Sequence, residues 1–138
     1  MAEQAQPKFE IKKIYVKDLS FESPLTPQVF MENPQQPQIE VGVNTSFTKL
    51  DDSDIYEVVL KVTCAAKSED KTYFLIELDQ AGLFEIANFD EEQTNLFAEV
   101  AAPTNLLPFA REVVCDAITK GGFPSIMINP INFEGSLS

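Results

Sequence analysis

The sequence predicts an α+β domain, a four-stranded antiparallel sheet followed by one long kinked helix, and three observations carry that expectation. Its 138 residues suit a single hydrophobic core, because domains typically run to roughly 50–250 residues. Four segments alternate apolar and polar residues at the period of a strand, and the later ones are joined by short turns that make neighbours antiparallel. Past Gly82 the apolar spacing changes to that of a helix.

Taken in order, residues 1–8 form a polar lead that reads as flexible. In the first strand Phe9, Ile11, Tyr15, Leu19 and Phe21 hold odd positions against Glu10, Lys12, Asp18, Ser20 and Glu22, while Ile14 and Val16 interrupt the even set. Residues 23–38 carry Pro24, Pro27, Pro34 and Pro37 around Val29, Phe30 and Met31. Proline removes a backbone donor and fixes φ, so this stretch is expected as a long ordered crossover with neither helix nor central strand. The second strand alternates Ile39, Val41, Val43, Thr45 and Phe47 with Glu40, Asn44 and Ser46, and Asp51, Asp52, Ser53 and Asp54 turn the chain. The third, over 55–66, sets Tyr56, Val58, Leu60, Val62 and Cys64 against Glu57, Lys61 and Thr63. Ser68, Glu69, Asp70 and Lys71 read as a hairpin turn into the fourth strand, over 72–80.

Beyond Gly82, Asn88 with Glu91 or Asp90 with Gln93 offers a helix cap, and Leu96, Phe97, Val100 and Ala101 recur at helical spacing. Pro103 is expected to break this helix, and Thr104 or Asn105 to cap a continuation with Pro108 in its first turn. Leu106, Phe109, Ala110, Val113, Ala117 and Ile118 then form one apolar stripe, ended by Gly121 and Gly122. The tail from Phe123 is apolar and broken by Pro124 and Pro130, so it needs a surface to lie against. One helix covers one sheet face, yet the strands carry apolar residues on both, and a second subunit is expected to complete the burial.

Composition removes whole classes of chemistry. Against 10 Lys and Arg stand 22 Asp and Glu, a net charge of −12, which repels phosphate backbones and anionic lipid. Nucleic acid and membrane surface are therefore poor partners, and no uncharged stretch reaches the ~18 apolar residues of a membrane span. There is no His, which excludes His-based triads, His general bases and His-ligated metals. Cys64 and Cys115 form no CxxC motif and read as ordinary buried thiols of a reduced, cytoplasmic protein. Neither phosphate-binding glycine pattern occurs, so any work on a partner is equilibrium binding without a nucleotide. Asp51, Asp52 and Asp54 lack the glycine and distal glutamate of a calcium loop and read as a solubilising turn. No cofactor and no catalytic residue is expected.

Two features remain. Asp18 and Glu22 share a strand face about 13 Å apart, wider than the roughly 5–9.5 Å of paired catalytic carboxylates. Leu75, Glu77 and Asp79 share a face of the fourth strand, and if the first and fourth strands are neighbours the two sets make a flat acidic patch for a basic partner. The ordinary alternative is the solvated side of a sheet. The second feature is the pair of irregular apolar segments, Val29, Phe30 and Met31 in the crossover and Ile126, Met127, Ile128 and Phe133 in the tail. Each residue alone reads as core, but Met and Phe in irregular segments also suit a groove that adapts to unfolded chain.

The runs IYVKDLSFESPLTPQVF (14–30), YEVVLKVT (56–63), FLIELDQAGLFEI (74–86), LLPFAREVV (106–114) and GGFPSIMINPINF (121–133) together resemble the SecB family of bacterial protein-export chaperones. The resemblance implies a dimer of dimers with the long helices sandwiched between dimers. It implies a cytoplasmic protein that holds secretory precursors unfolded without ATP and delivers them to the translocation ATPase SecA. The family's acidic docking surface for SecA falls on Asp18, Glu22, Leu75 and Glu77, and its client groove on the two irregular segments. In one departure, the family continues past the equivalent of Phe133 into a second helix and acidic tail, whereas residues 134–138 read as a short tail with Gly135 in it. A SecB-like module that binds one defined partner, such as a toxin, is the alternative function.

Overall fold

A computed structural model of the chain describes residues 6–32, 37–126 and 133. Its elements are β1 (Lys8–Glu22), α1 (Gln28–Met31), β2 (Gln38–Lys49), β3 (Ile55–Ser68), β4 (Lys71–Ala87), α2 (Glu91–Leu96), a π turn (Phe97–Ala101) and α3 (Ala102–Lys120). The strands form one antiparallel sheet in the order β1-β4-β3-β2. This is the expected α+β architecture of four strands and a long C-terminal helix.

The core lies between one sheet face and α3. Period-two residues of β3 (Val58, Leu60, Val62, Cys64) and β4 (Ile76, Leu78, Phe84) meet helix residues four apart, Leu106, Ala110, Val114 and Ile118. The expected stripe is thus rotated: Phe109 stays 48% exposed, while Leu107 and Val114 are buried. The 3.6-residue period turns Phe109, Val113 and Ala117 onto the flank facing β1, and only Val113 and Ala117 of these reach the core's margin.

In β1 the alternation changes phase twice. Register passes from Ile11↔Phe84 to Lys13↔Leu83, and from Val16↔Gln80 to Asp18↔Asp79, so Lys12 and Lys17 are each the extra residue of a bulge. Phe9, Ile11, Ile14, Val16, Leu19 and Phe21 therefore share the helix-facing side, and Tyr15, expected among them, turns to the opposite face. The interruption by Ile14 and Val16 is the trace of these bulges.

Gly82 does not end β4, which runs seven residues beyond the expected Gln80, to Ala87. A Cβ on Gly82 would lie 2.7 Å from a Phe84 ring carbon and 3.1 Å from Leu106, so the glycine lets α3 approach the sheet. Pro103 does not break the helix either. The π turn, with the Ala102 N–H reaching the Phe97 carbonyl, widens the backbone just before it and leaves Pro103 in the first turn of α3, where its missing donor is tolerated. Thr104 Oγ1 and Asn105 Nδ2 donate to the Val100 and Ala101 carbonyls at 2.7 and 2.8 Å. Pro108 consequently sits inside α3, not at its start. Upstream, Asp90 caps α2 by accepting the Gln93 N–H at 2.7 Å.

The crossover contains one helical turn, α1, where none was expected. Pro27 precedes it at the cap, so the turn costs no donor. Ser23 Oγ and Thr26 Oγ1 tie the entry, donating to the Tyr73 and Ser23 carbonyls. Both cysteines are free; Cys64 is buried, and Cys115 is half-buried with its Sγ donating to the Ile126 carbonyl at 3.1 Å. Among the described residues no helix is long and apolar enough to cross a membrane.

Candidate functional site

The sheet face away from α3 is assembled by register alone. Because β1 and β4 are direct neighbours, Asp18 lies opposite Asp79, Ser20 opposite Glu77, and Glu22 opposite Leu75. Continuing across β3, Asp79 meets Lys61, Glu77 meets Thr63 and Leu75 meets Ala65. Asp18 and Glu22 are thus the diagonal neighbours of Glu77, roughly 7–8 Å away at usual sheet spacing, and Leu75, opposite Glu22 and two residues from Glu77, supplies an apolar spot at that end of the patch. The four residues singled out in the sequence stand on one face.

Cations are distributed unevenly over that face. Lys8 and Lys12 bridge Glu10 and Glu85 at 3.1–3.4 Å, and their hydrogen bonds hold both carboxyls below the ordinary glutamate value. Glu57 takes Lys17 at 2.8 Å and the Tyr15 hydroxyl at 2.5 Å. The Lys17 hydrogen bond first, then that of Tyr15, lowers its pKa. Tyr15 in turn is pushed up to about 12, chiefly by burial and then by its bond to Glu57. Lys61 pairs with Asp79 at 3.6 Å. Among the described residues, Asp18, Glu22 and Glu77 have no ion-pair partner. Residues 1–17 hold four Lys and two Glu, so the uncompensated charge begins at Asp18.

On the helix side, the two irregular apolar segments meet through aromatic rings. Phe30 packs on Phe123 at 5.3 Å, Phe123 on Phe74 at 5.1 Å, and Phe74 on Phe21 at 6.1 Å. The expected groove residues divide. Val29 and Phe133 are buried core, Ile126 packs at the core's margin, and Phe30 and Met31 are 50% and 86% exposed. Met127 and Ile128 lie outside the described residues. Phe123, which sequence reasoning named only as the start of the tail, is the ring that joins crossover, tail and sheet; its place directly after Gly121 and Gly122 was the available signal.

Two concavities flank this cluster. One, of about 210 Å³, is walled by Pro24, Leu25, Val29 and Tyr73, with Glu32 and Lys71 at its mouth. The other, about 410 Å³, runs between β1 and α3 over Leu19, Phe21, Val113 and Ala117, with Glu112, Asp116 and Lys120 on its rim. Gly121 closes its end, where a Cβ would fall 2.3 Å from Phe21 Cζ. The second is mainly apolar and open, a surface that suits extended or flexible chain better than a small rigid ligand, whereas the first is of mixed polarity.

Comparison with known proteins gives this geometry a context. The chain matches the family described as preprotein translocase subunit SecB over residues 2–137. The protein-export protein SecB of Dechloromonas aromatica is 49% identical over 135 residues, covering 98% of this chain and 88% of that protein. Its counterpart in Neisseria meningitidis serogroup B is 44% identical, covering 97% and 90%. Among solved structures, the Mycobacterium tuberculosis SecB-like chaperone Rv1957, in complex with a ChAD peptide from the HigA1 antitoxin, superposes with a TM-score of 0.70. At 14% identity, covering 90% of this chain and 88% of that one, it is a likeness of fold. With near-complete coverage at 43–49% identity to protein-export relatives, the strand register, the long helix and the motif runs have one common explanation: the chain belongs to the SecB family of protein-export chaperones.

Proposed function

We propose that this export chaperone works in the cytoplasm as a homotetramer, a dimer of dimers, that holds unfolded secretory precursors without ATP and passes them to SecA. The observation that carries the reading is the division of labour between the two sheet faces. Asp18, Glu22 and Glu77, without ion-pair partners and with Leu75 beside Glu22 and Glu77, suit a basic partner segment docking by charge. The opposite side offers Phe30, Met31 and the Phe123 cluster to apolar client segments, with Val29, Ile126 and Phe133 as the packed wall behind them.

Assembly is supported by apolar residues that the protomer leaves uncovered. Ile11, Val16 and Leu19 of β1 and Phe109 of α3 are all exposed on the helix side, a surface of the kind that monomers normally cover with a partner. Several weak grooves on one assembly then act together through high effective concentration. The test adds stoichiometric protein to a refolding secretory precursor and measures folding arrest, with the oligomer's mass taken on the same sample. Arrest by a tetramer, without ATP, supports the reading; failure to slow refolding of any unrelated precursor refutes it in favour of a module for one defined partner.

A further inference from the structure

We propose that Glu57 is a positioning residue for the docking face: it holds Lys17 away from Asp18 and so keeps the carboxylate patch open to a basic partner. This rests on the SecA-docking reading given above and adds to it a residue that acts through another.

The second bulge of β1 creates the need for such a residue. Regular alternation would send Lys17 and Asp18 to opposite faces of the sheet. Val16 pairs with Gln80 and Asp18 with the next residue back along β4, Asp79, so Lys17 is the extra residue between them. Asp18 stands on the outer face with Glu77. Lys17 reaches Glu57, which alternates with the core residues Val58 and Leu60 and so belongs to that same outer face. The bulge therefore places a cation on the docking face, consecutive in sequence with the first docking carboxylate. Unheld, its ammonium would neutralise Asp18 or repel an arriving cation.

The structure shows it doing neither. Asp18 has no ion-pair partner among the described residues, while Lys17 Nζ lies 2.8 Å from Glu57 Oε1. Glu57 Oε2 accepts the Tyr15 hydroxyl at 2.5 Å, so the carboxylate is fixed at both oxygens, and Tyr15 is on hand because the bulged register turns it to this face. To run from β1 to β3 the pair spans β4, whose residue opposite Tyr15 is Ala81, small and fully buried. Glu57 pairs with Leu83, in a row four residues along β4 from Asp79, roughly 13 Å at the usual rise. That is beyond the ~8 Å over which exposed charges act at physiological salt. As a source of stability this pair counts for little, because the Lys17 side chain is 49% exposed. Its larger effect is on where the Lys17 charge sits.

The test is SecA docking to the full chain, by titration calorimetry at low and high salt. Glu57→Gln is expected to weaken docking about three- to tenfold at low salt and less at high salt. Adding Lys17→Gln to that variant is expected to bring affinity back to within about twofold of wild type, a rescue that a merely structural role of Glu57 would not allow. Glu85→Gln removes a carboxylate from the same face farther from the patch and is expected to stay within about twofold, which separates the position of Lys17 from net charge. Lys17→Gln alone, with Glu57 in place, is also expected to stay within about twofold, and it carries the test if Glu57→Gln fails to assemble at wild-type mass. Unchanged docking in Glu57→Gln, no rescue in the double variant, an equal loss in Glu85→Gln, or a loss beyond about fivefold in Lys17→Gln alone would each overturn the inference. Glu77→Lys is the reference: if it weakens docking and Glu57→Gln does not, only the positioning role falls; if neither does, the docking reading falls as well.

Discussion

Replacing Gly121 by alanine sets two effects against each other, and their sizes decide the sign. Gly121 ends α3 with φ −75° and ψ −2°, a right-handed helical conformation that any L-residue adopts. On propensity alone, alanine would gain up to about 1 kcal/mol over glycine there. Its methyl, however, would lie 2.3 Å from Phe21 Cζ and 2.8 and 3.0 Å from the two Cε atoms, where carbon contacts want roughly 3.5–4.0 Å. The ring cannot simply retreat, because it stacks on Phe74 at 6.1 Å, and Phe74 packs on Phe123 at 5.1 Å. Overpacking of this kind costs about 1–3 kcal/mol, so the net expectation is destabilisation by ~1–2 kcal/mol. For a chain of this length that is a fall in Tm of about 3–8 °C. The assay is calorimetry at fixed protomer concentration, since assembly makes Tm concentration-dependent. Phe21→Leu removes the clashing ring atoms, so Gly121→Ala in that background is expected to be neutral or stabilising, a coupling read by the double-mutant cycle. An unchanged or raised Tm in Gly121→Ala alone would refute the packing account of this glycine.

Three further outcomes follow from the geometry. Glu77→Lys should weaken SecA docking on the order of 10–30-fold at low salt and less at high salt, measured by titration calorimetry, while precursor folding arrest is retained; joint loss would contradict separate faces. Phe30→Ser with Met31→Ser should impair client holding in the refolding assay with little change in Tm, whereas Val29→Ala, buried at 4% exposure, should cost about 1–3 kcal/mol of stability. The lowered Glu57 value gives stability that is present at neutral pH and lost as pH falls through it. The raised Tyr15 value works at the other end: its contribution is complete below pH 10.0, the ordinary tyrosine value, and is lost as pH rises to about 12. In a spectrophotometric alkaline titration the phenolate step near 12 should vanish in Tyr15→Phe and move down in Glu57→Gln.

The sheet and its acidic face were legible because they depend on one short-range rule. Alternation along β3 and β4 assigns each side chain to a face, and once β1 lies beside β4 the positions of Asp18, Glu22, Leu75 and Glu77 follow without further information. What escaped the sequence depends on contacts between distant residues. Gly82 resembles a strand terminator until Leu106 is known to press on it. Pro103 resembles a helix breaker until the preceding turn is known to be wider than an α-turn. The crossover shows the same limit at single-residue scale: Val29, Phe30 and Met31 are alike in hydrophobicity, yet one turn of helix buries the first and presents the other two. Lys12 and Lys17 are unremarkable in composition, and only the doubled apolar positions beside them betray the bulges.

Those two bulges give β1 the character of a reading frame. Each shifts side-chain phase by one residue, and the second restores what the first displaced, so Phe9 and Phe21 end on the same side although an unpaired lysine stands in the strand twice. Deleting Lys17 alone would remove its bulge and let Asp18 follow Val16 directly, so Asp18 and Leu19 keep Asp79 and Leu78 as partners and every later side chain keeps its face. The carboxylates and the groove wall of this strand are therefore written in one phase. Deleting a residue that is in register, such as Leu19, would swap the faces of Ser20, Phe21 and Glu22 at once, whereas removing either bulge lysine, or both, leaves the alternation intact.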